Sequence, residues 1–347
     1  MTTLRPTAGI AVVPGALAVL TLSMAVALGI GSVHVPLADV LAVVARRLGA
    51  GDLGVTLFDD RIVWQLRMPR VLGAAAVGAA LACCGAVLQC LVRNDLADPY
   101  LLGISGGAAV GAVTVIVLGV SVVGLVGSAA IGVAGFVGAL ASLALVLLLA
   151  TGRSGQLPPT RTVLAGVAVA QACAAYTSLL VIVRGEGDAA RRVLTWTLGS
   201  VAGFRWGSAL VVAGVALVAV LVATACAGHL DALALGESTA GSLGVDVRRV
   251  RWGLLVGTAL VTALLVAHAG AIGFVGLVVP HLVRALTGPR HRLLLPLAAL
   301  AGAVLLVWAD VVARSLVPGQ EIPIGVVTAV VGAPFFAYLL RRSARFA

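Results

Sequence analysis

Lysine is missing from this chain: all 23 basic side chains among its 347 residues are arginine. That one absence excludes a phosphate-cradling P-loop, which needs Gly-x-x-x-x-Gly-Lys-Ser/Thr. If the protein takes part in ATP-driven work, the nucleotide is hydrolysed on another polypeptide. Charge of either sign is scarce, at 10% of residues, and only 13 residues are acidic. Cysteine is sparse as well. Cys83, Cys84, Cys90, Cys173 and Cys226 lie inside apolar runs without metal-ligand spacing, and read as small buried residues. The five histidines, His34, His229, His268, His281 and His291, are scattered. No nucleophile, base and acid come together, so no catalytic residue, cofactor site or metal site is expected.

What the chain has in excess is apolar surface. It is 61% hydrophobic, and its mean hydropathy is +1.16. Several runs approach the roughly 20 residues that a membrane helix needs. The expected fold class is therefore all-α: a polytopic membrane protein of about ten transmembrane helices in one compact bundle. A formal charge of +10 in a soluble protein would suggest nucleic acid. Here the arginines punctuate apolar spans, which points to loops and lipid headgroups instead.

The stretch 67–107 organises the rest. Arg67 and Arg70 bracket Pro69, a small-residue apolar run follows to Val92, and the chain breaks at Arg93-Asn94-Asp95 before resuming after Pro99. Gly, Ala and Cys stand where a lipid-facing helix would carry Leu and Ile. Such a helix lets other backbones approach closely and belongs inside a bundle. The first apolar run, 10–30, is longer than a signal peptide's apolar core of about 7–15 residues, and is read as a span. Further spans are expected at 69–92, from after Pro99 to 117, and at 122–150, 163–183, 208–226, 252–266, 272–286, 293–312 and 322–340. A short amphipathic helix is expected from Pro36 to Arg47. Polar breaks are expected at 151–161, at 184–206 and at 229–251, and a basic tail at 341–345. Ten spans place both termini on one side. Arginine is slightly commoner in the loops on that side, which makes it the cytoplasmic one.

Within segment 229–251, the run Leu235–Gly244 reads as two short helices broken by glycines. Gly236 and Gly244 permit tight turns, Ala240 and Gly241 permit close approach of a partner surface, and Glu237 sits favourably at a helix N-terminus. A solvated loop is the alternative. His281 follows Pro280 within an apolar span, where it reads either as a proton relay or ligand, or as the group that satisfies a carbonyl freed by the helix break. Gly85 precedes Leu91-Val92-Arg93 by the spacing at which Gly276 precedes Leu282-Val283-Arg284, a match close to chance in so biased a composition. No span carries an acid at mid-depth, which counts against the rival from another class, an ion-coupled secondary transporter.

At these residues the chain resembles the permease subunits of the ABC importers for iron-siderophores, haem and cobalamin. The matching motifs run nearly its whole length: Trp64-Gln65-Leu66-Arg67-Met68-Pro69-Arg70, Gly85-Ala86-Val87-Leu88-Gln89, Arg93-Asn94-Asp95-Leu96-Ala97-Asp98-Pro99 with Leu101-Leu102-Gly103, Leu233-Ala234-Leu235-Gly236-Glu237, Gly270-Ala271-Ile272-Gly273-Phe274-Val275-Gly276-Leu277, Pro280-His281, and Ile322-Pro323-Ile324-Gly325-Val326-Val327-Thr328. Asp95 departs from the family, which usually has proline there. The resemblance implies a single permease domain over 1–347 in the cell membrane. Its partners would be a second permease subunit, identical or paralogous, two cytoplasmic ATPases and an extracytoplasmic binding protein. It implies that Arg67, Arg70 and Arg314 receive the binding protein. Leu235, Gly236, Glu237, Ala240, Leu243 and Gly244, within 229–251, would couple to the ATPase. Gln89, Asn94, Pro99, Pro280 and His281 are candidates for helix breaks or the translocation path. The cargo implied is a ferric siderophore, with haem or cobalamin as alternatives.

Overall fold

A computed structural model describes residues 6–51, 54–151, 158–317 and 319–343. Arg5, Arg153, Ala344 and Arg345, and most of the polar break expected at 151–161, lie outside the described residues. The chain enters through α1 (Pro6–Gly29) and the amphipathic α2 (Leu37–Arg47), the short helix expected from its sequence. Next, α3 (Leu57–Asp60), a π-helical turn (Arg61–Arg67) and α4 (Met68–Val92) join into one apolar rod. The rod begins a dozen residues before the expected start at Pro69, and proline chemistry accounts for the difference. A proline ring collides with the carbonyl four residues back. Widening the helix just ahead of Pro69, so that Met68 N–H reaches Val63 O, relieves that collision without ending the helix.

After a 3-10 turn (Pro99–Leu102) come α5 (Ile104–Leu118), α6 (Gly127–Ala150) and α7 (Pro159–Arg184). The segment expected to be only a polar loop holds α8 (Ala189–Thr197), and α9 (Trp206–Ala225) follows. Two short helices, α10 (Ala227–Ala234) and α11 (Glu237–Ser242), then lead to α12 (Val247–Ala269), α13 (Val275–Thr287), α14 (His291–Ser315) and α15 (Ile324–Ser343). Among the described residues, seven helical segments are long and apolar enough to cross a membrane: α1, the α3–α4 rod, α6, α7, α9, α12 and α14. Three shorter apolar helices, α5, α13 and α15, fall on the other expected spans.

Side-chain contacts define two ends of the bundle. At one, Trp206 Nε1 donates to Trp64 O at 3.0 Å, which sets the start of α9 beside the start of the rod. At the other, Cys90 Sγ donates to Leu230 O at 3.3 Å, which sets the end of α4 against α10. The two are called the α8 end and the α10 end below.

Nearly all of α4 is buried, whereas α7 is mostly exposed. One apolar cluster takes the half of α4 from Val71 to Ala82 with α1, α9 and α14. A second takes Cys83 to Leu91 with α5, α6, α10 and α12. On α4, backbone meets backbone at two crossings. A Cβ on Gly78 would lie 2.1 Å from Gly302 O, and one on Gly85 would lie 1.9 Å from Gly276 O. The two glycines whose spacing in sequence looked accidental therefore pack against each other.

Side-chain volume at these crossings should drive the helices apart. Gly302→Leu is expected to lower stability by about 1–3 kcal/mol through overpacking, read as a lower unfolding midpoint in detergent. Gly214 on α9 has nothing within 4 Å of an added Cβ. Gly214→Ala should therefore match or exceed the parent by about 0.5–1 kcal/mol. Equal midpoints for the two variants would contradict the close-crossing account.

Candidate docking rim and coupling segment

At the α8 end, two arginines share one buried acid and a third lies beside them. Asp310 on α14 is 1% exposed and accepts from Arg70 Nε at 2.9 Å and 3.1 Å, one bond on each carboxylate oxygen. Arg70 Nη1 also donates to Glu321 Oε1 at 2.8 Å. Arg314, one turn beyond Asp310, donates from Nη2 to Ala27 O at 2.8 Å, with its Nε 3.7 Å from Asp310. Arg67 is buried and donates from Nη1 to Leu28 O at 2.7 Å and from Nη2 to Val33 O. The fold thus brings Arg67, Arg70 and Arg314 together at one rim, and it also engages each of them internally. Asp310 and Glu321, which sequence reading did not single out, supply the negative charge there. Their signal was available, since an acid four residues before Arg314 on a helix lies on the same face.

At the α10 end, Pro280 breaks the α13 hydrogen-bond ladder. Lacking an N–H, it leaves Gly276 O, four residues back, without a helical donor. Gln89 supplies one: its Nε2 donates to Gly276 O at 3.3 Å and to Leu277 O at 3.2 Å. Sequence reasoning offered that task to His281, but His281 Nδ1 is buried without a partner. Gln89 Oε1 in turn accepts from Arg284 Nη2 at 2.9 Å, and Arg284 Nη1 donates to Asp95 at 2.9 Å. The residue that departs from the family's proline therefore has a partner of its own. Pro99 rests against Gly276, where an added Cβ would come 2.9 Å from its ring, and Asn94 caps its own turn by accepting from Leu96 N–H at 3.0 Å.

Of the two short helices expected between Leu235 and Gly244 one forms, α11; the segment's other short helix, α10, lies before Leu235, and the chain breaks between them at Gly236 with φ +121°. Glu237 opens α11 and pairs with Arg251 at 2.7 Å. Asp231 on α10 accepts from His291 N–H at 2.9 Å, and His291 Nδ1 lies 2.7 Å from the same oxygen. Asp231 thereby caps α14, whose own preceding residue makes no capping bond. Ala240 sits differently from its expected place against a partner. It is 0% exposed, packed under α11 within this chain. The free surface is made by Leu235, Glu237, Gly241, Leu243 and Gly244, with Leu235 and Leu243 mostly exposed.

The description "FecCD transport family" matches residues 19–342, almost the whole chain. The chain belongs to the FecCD transport family. Among its relatives, the cobalamin import permease BtuC of Halobacterium salinarum is 44% identical over 84% of this chain and 76% of its own length. The vitamin B12 import permease BtuC of Vibrio cholerae is 41% identical over 87% and 91%, and the hemin transport permease HmuU of Yersinia pestis 37% over 87% and 93%. A solved metal-chelate type ABC transporter in an inward-facing conformation superposes with a TM-score of 0.82 at 30% identity, covering 95% of this chain and 99% of that one. This FecCD member is accordingly a membrane-embedded permease subunit of an ABC importer, and ATP hydrolysis belongs to a separate subunit.

The buried charges of the rim give a stability test. Asp310→Ala would leave Arg70 and Arg314 without their shared carboxylate, at a cost of about 3–5 kcal/mol. Pairing it with Arg70→Met should recover much of that loss, measured as unfolding midpoint and membrane yield. Wild-type stability in the single variant would mean that water already neutralises the cluster.

Proposed function

We propose that this permease moves a metal chelate, cobalamin first, from an extracytoplasmic binding protein to the cytoplasm of the cell. The observation that carries the cargo is the 44% identity over 84% of the chain to a permease named for cobalamin. Haem is the second reading, supported by the 37% identical hemin permease. The ferric siderophore expected from the motifs stays in the same chemical class, without a relative above to support it. The experiment is ATP-dependent uptake by the reconstituted complex of cyanocobalamin, hemin and a ferric hydroxamate in parallel. Hemin or siderophore uptake without cyanocobalamin uptake would overturn the cobalamin assignment.

In this reading two permease subunits enclose the path, two ATPases sit at the α10 end, and both termini are cytoplasmic. The α8 end, with Arg67, Arg70 and Arg314, faces the binding protein. Leu235, Glu237 and Leu243, set by the turns at Gly236 and Gly244, enter a groove of the ATPase, while Ala240 braces them from inside. Since the chain lacks a lysine-bearing P-loop, purified permease alone should neither bind nor hydrolyse ATP. Turnover by the isolated, partner-free protein would sink the importer reading.

Gly241 gives a clean probe of coupling, because an added Cβ there meets nothing within 4 Å. Gly241→Arg should insert and fold normally yet lose ATPase co-purification and most uptake. Full uptake by that variant would make the segment a solvated connection.

A further inference from the structure

The rim arginines differ sharply from those around α8. Arg67, Arg70 and Arg314 spend their donors on Leu28, Val33, Asp310, Glu321 and Ala27. Arg184, Arg191, Arg192 and Arg205 are exposed, and among the described residues none of them forms an ion pair. Only two acids, Glu186 and Asp188, share their segment. A charge already matched inside the fold contributes little to a long-range field, whereas unmatched surface charges steer an oppositely charged partner.

The patch also has a shape. Asp188, Arg191, Arg192 and Trp196 line a hollow of about 720 Å3 together with Ile131 and His268. Arginines that merely snorkel to lipid would project along the outer wall of the bundle. These two look into a concavity instead. The end of α8 is held beside the segment that follows Glu321. Gly325 N–H donates to Leu198 O and Ile324 N–H to Gly199 O, both at 3.0 Å, which fixes the end of α8 to the start of α15 just after Glu321.

We propose that α8 and its flanking loops, through Arg191 and Arg192 with Arg184 and Arg205, form the electrostatic landing surface for an acidic face of the extracytoplasmic binding protein, beside the Arg67–Arg70–Arg314 cluster. The proposal rests on the importer reading and adds to it the residues that make first contact. Docking here draws on free charge. Docking at Arg70 requires an incoming carboxylate to compete with Glu321 for a donor already in use.

The test uses the whole complex, permease with its ATPases in nanodiscs, and the purified binding protein. Association is measured between ~50 and ~300 mM salt, a range over which exposed charges become screened. Arg191→Glu with Arg192→Glu should weaken binding roughly 100-fold, mainly in the on-rate, and flatten its salt dependence, with basal ATPase activity unchanged. Asp188 makes no side-chain capping bond to α8. Asp188→Asn removes an opposing charge and should strengthen binding about 2- to 10-fold, a gain that misfolding cannot imitate. Unchanged affinity and salt slope in both variants would overturn the proposal. So would a thermal stabilisation by phosphatidylglycerol that the double variant loses while keeping full affinity, since the patch would then belong to lipid. A wild-type complex that binds no binding protein would overturn the importer reading itself, and this proposal with it.

Discussion

Contact between bare backbones is the constraint on which this bundle depends. Lipid tails are as apolar as leucine, so membrane helices gain little from hiding apolar side chains and associate through close packing. At Gly78–Gly302 and Gly85–Gly276 there is no room for a single methyl group. Those crossings press α14 and α13 onto α4 and make α4 the axis around which both apolar clusters form. Everything placed at the two ends of the bundle inherits its position from that axis. Arg70 and Gln89 are carried on α4 itself, and their partners Asp310 and Gly276 lie on the helices that α4 holds.

Polar chemistry then repairs what the packing leaves open. The carbonyl that Pro280 frees is met by Gln89, the charge of Arg284 by Gln89 and Asp95, and the bare start of α14 by Asp231. In hydrocarbon, each such group left alone would cost several kcal/mol. The repairs join sequence-distant pieces, so they also fix how the ends of the bundle are shaped. Asp310 does the same at the opposite end, where one buried carboxylate holds two arginines.

Much of this was legible in the amino acids. Apolar runs marked the ten helices, the family motifs marked the ends, and Gly236 and Gly244 marked the turns on either side of α11. What stayed hidden has physical causes. The rod's early start depends on a π-helical turn before Pro69, and no residue pattern announces one. Helix α8 is short, amphipathic and rich in arginine, which in a chain this apolar looks like a loop. Ala240 is small and flanked by polar residues, so composition alone could not say which side of α11 it faces. Gln89 and Asp95 acquire their roles from Gly276 and Arg284, nearly two hundred residues away, and such pairings appear only once the helices are stacked.

Helix α14 is tied at both ends. Asp231 holds its first residue to the α10 segment through a backbone bond and a ring contact on one oxygen. At its other end Asp310 binds Arg70, and Arg314 binds the end of α1. Between those ties, Gly302 sits against Gly78 with no slack. A displacement of the α10 segment relative to α14 must break both contacts at Asp231, and a displacement of α14 along α4 must break the Gly78–Gly302 crossing. Helix α7 carries no comparable restraint among the described residues: most of its surface is exposed. Rearrangement of the bundle is therefore least costly where α7 moves and α4 and α14 stay together, because packed crossings yield in discrete steps rather than by gradual deformation.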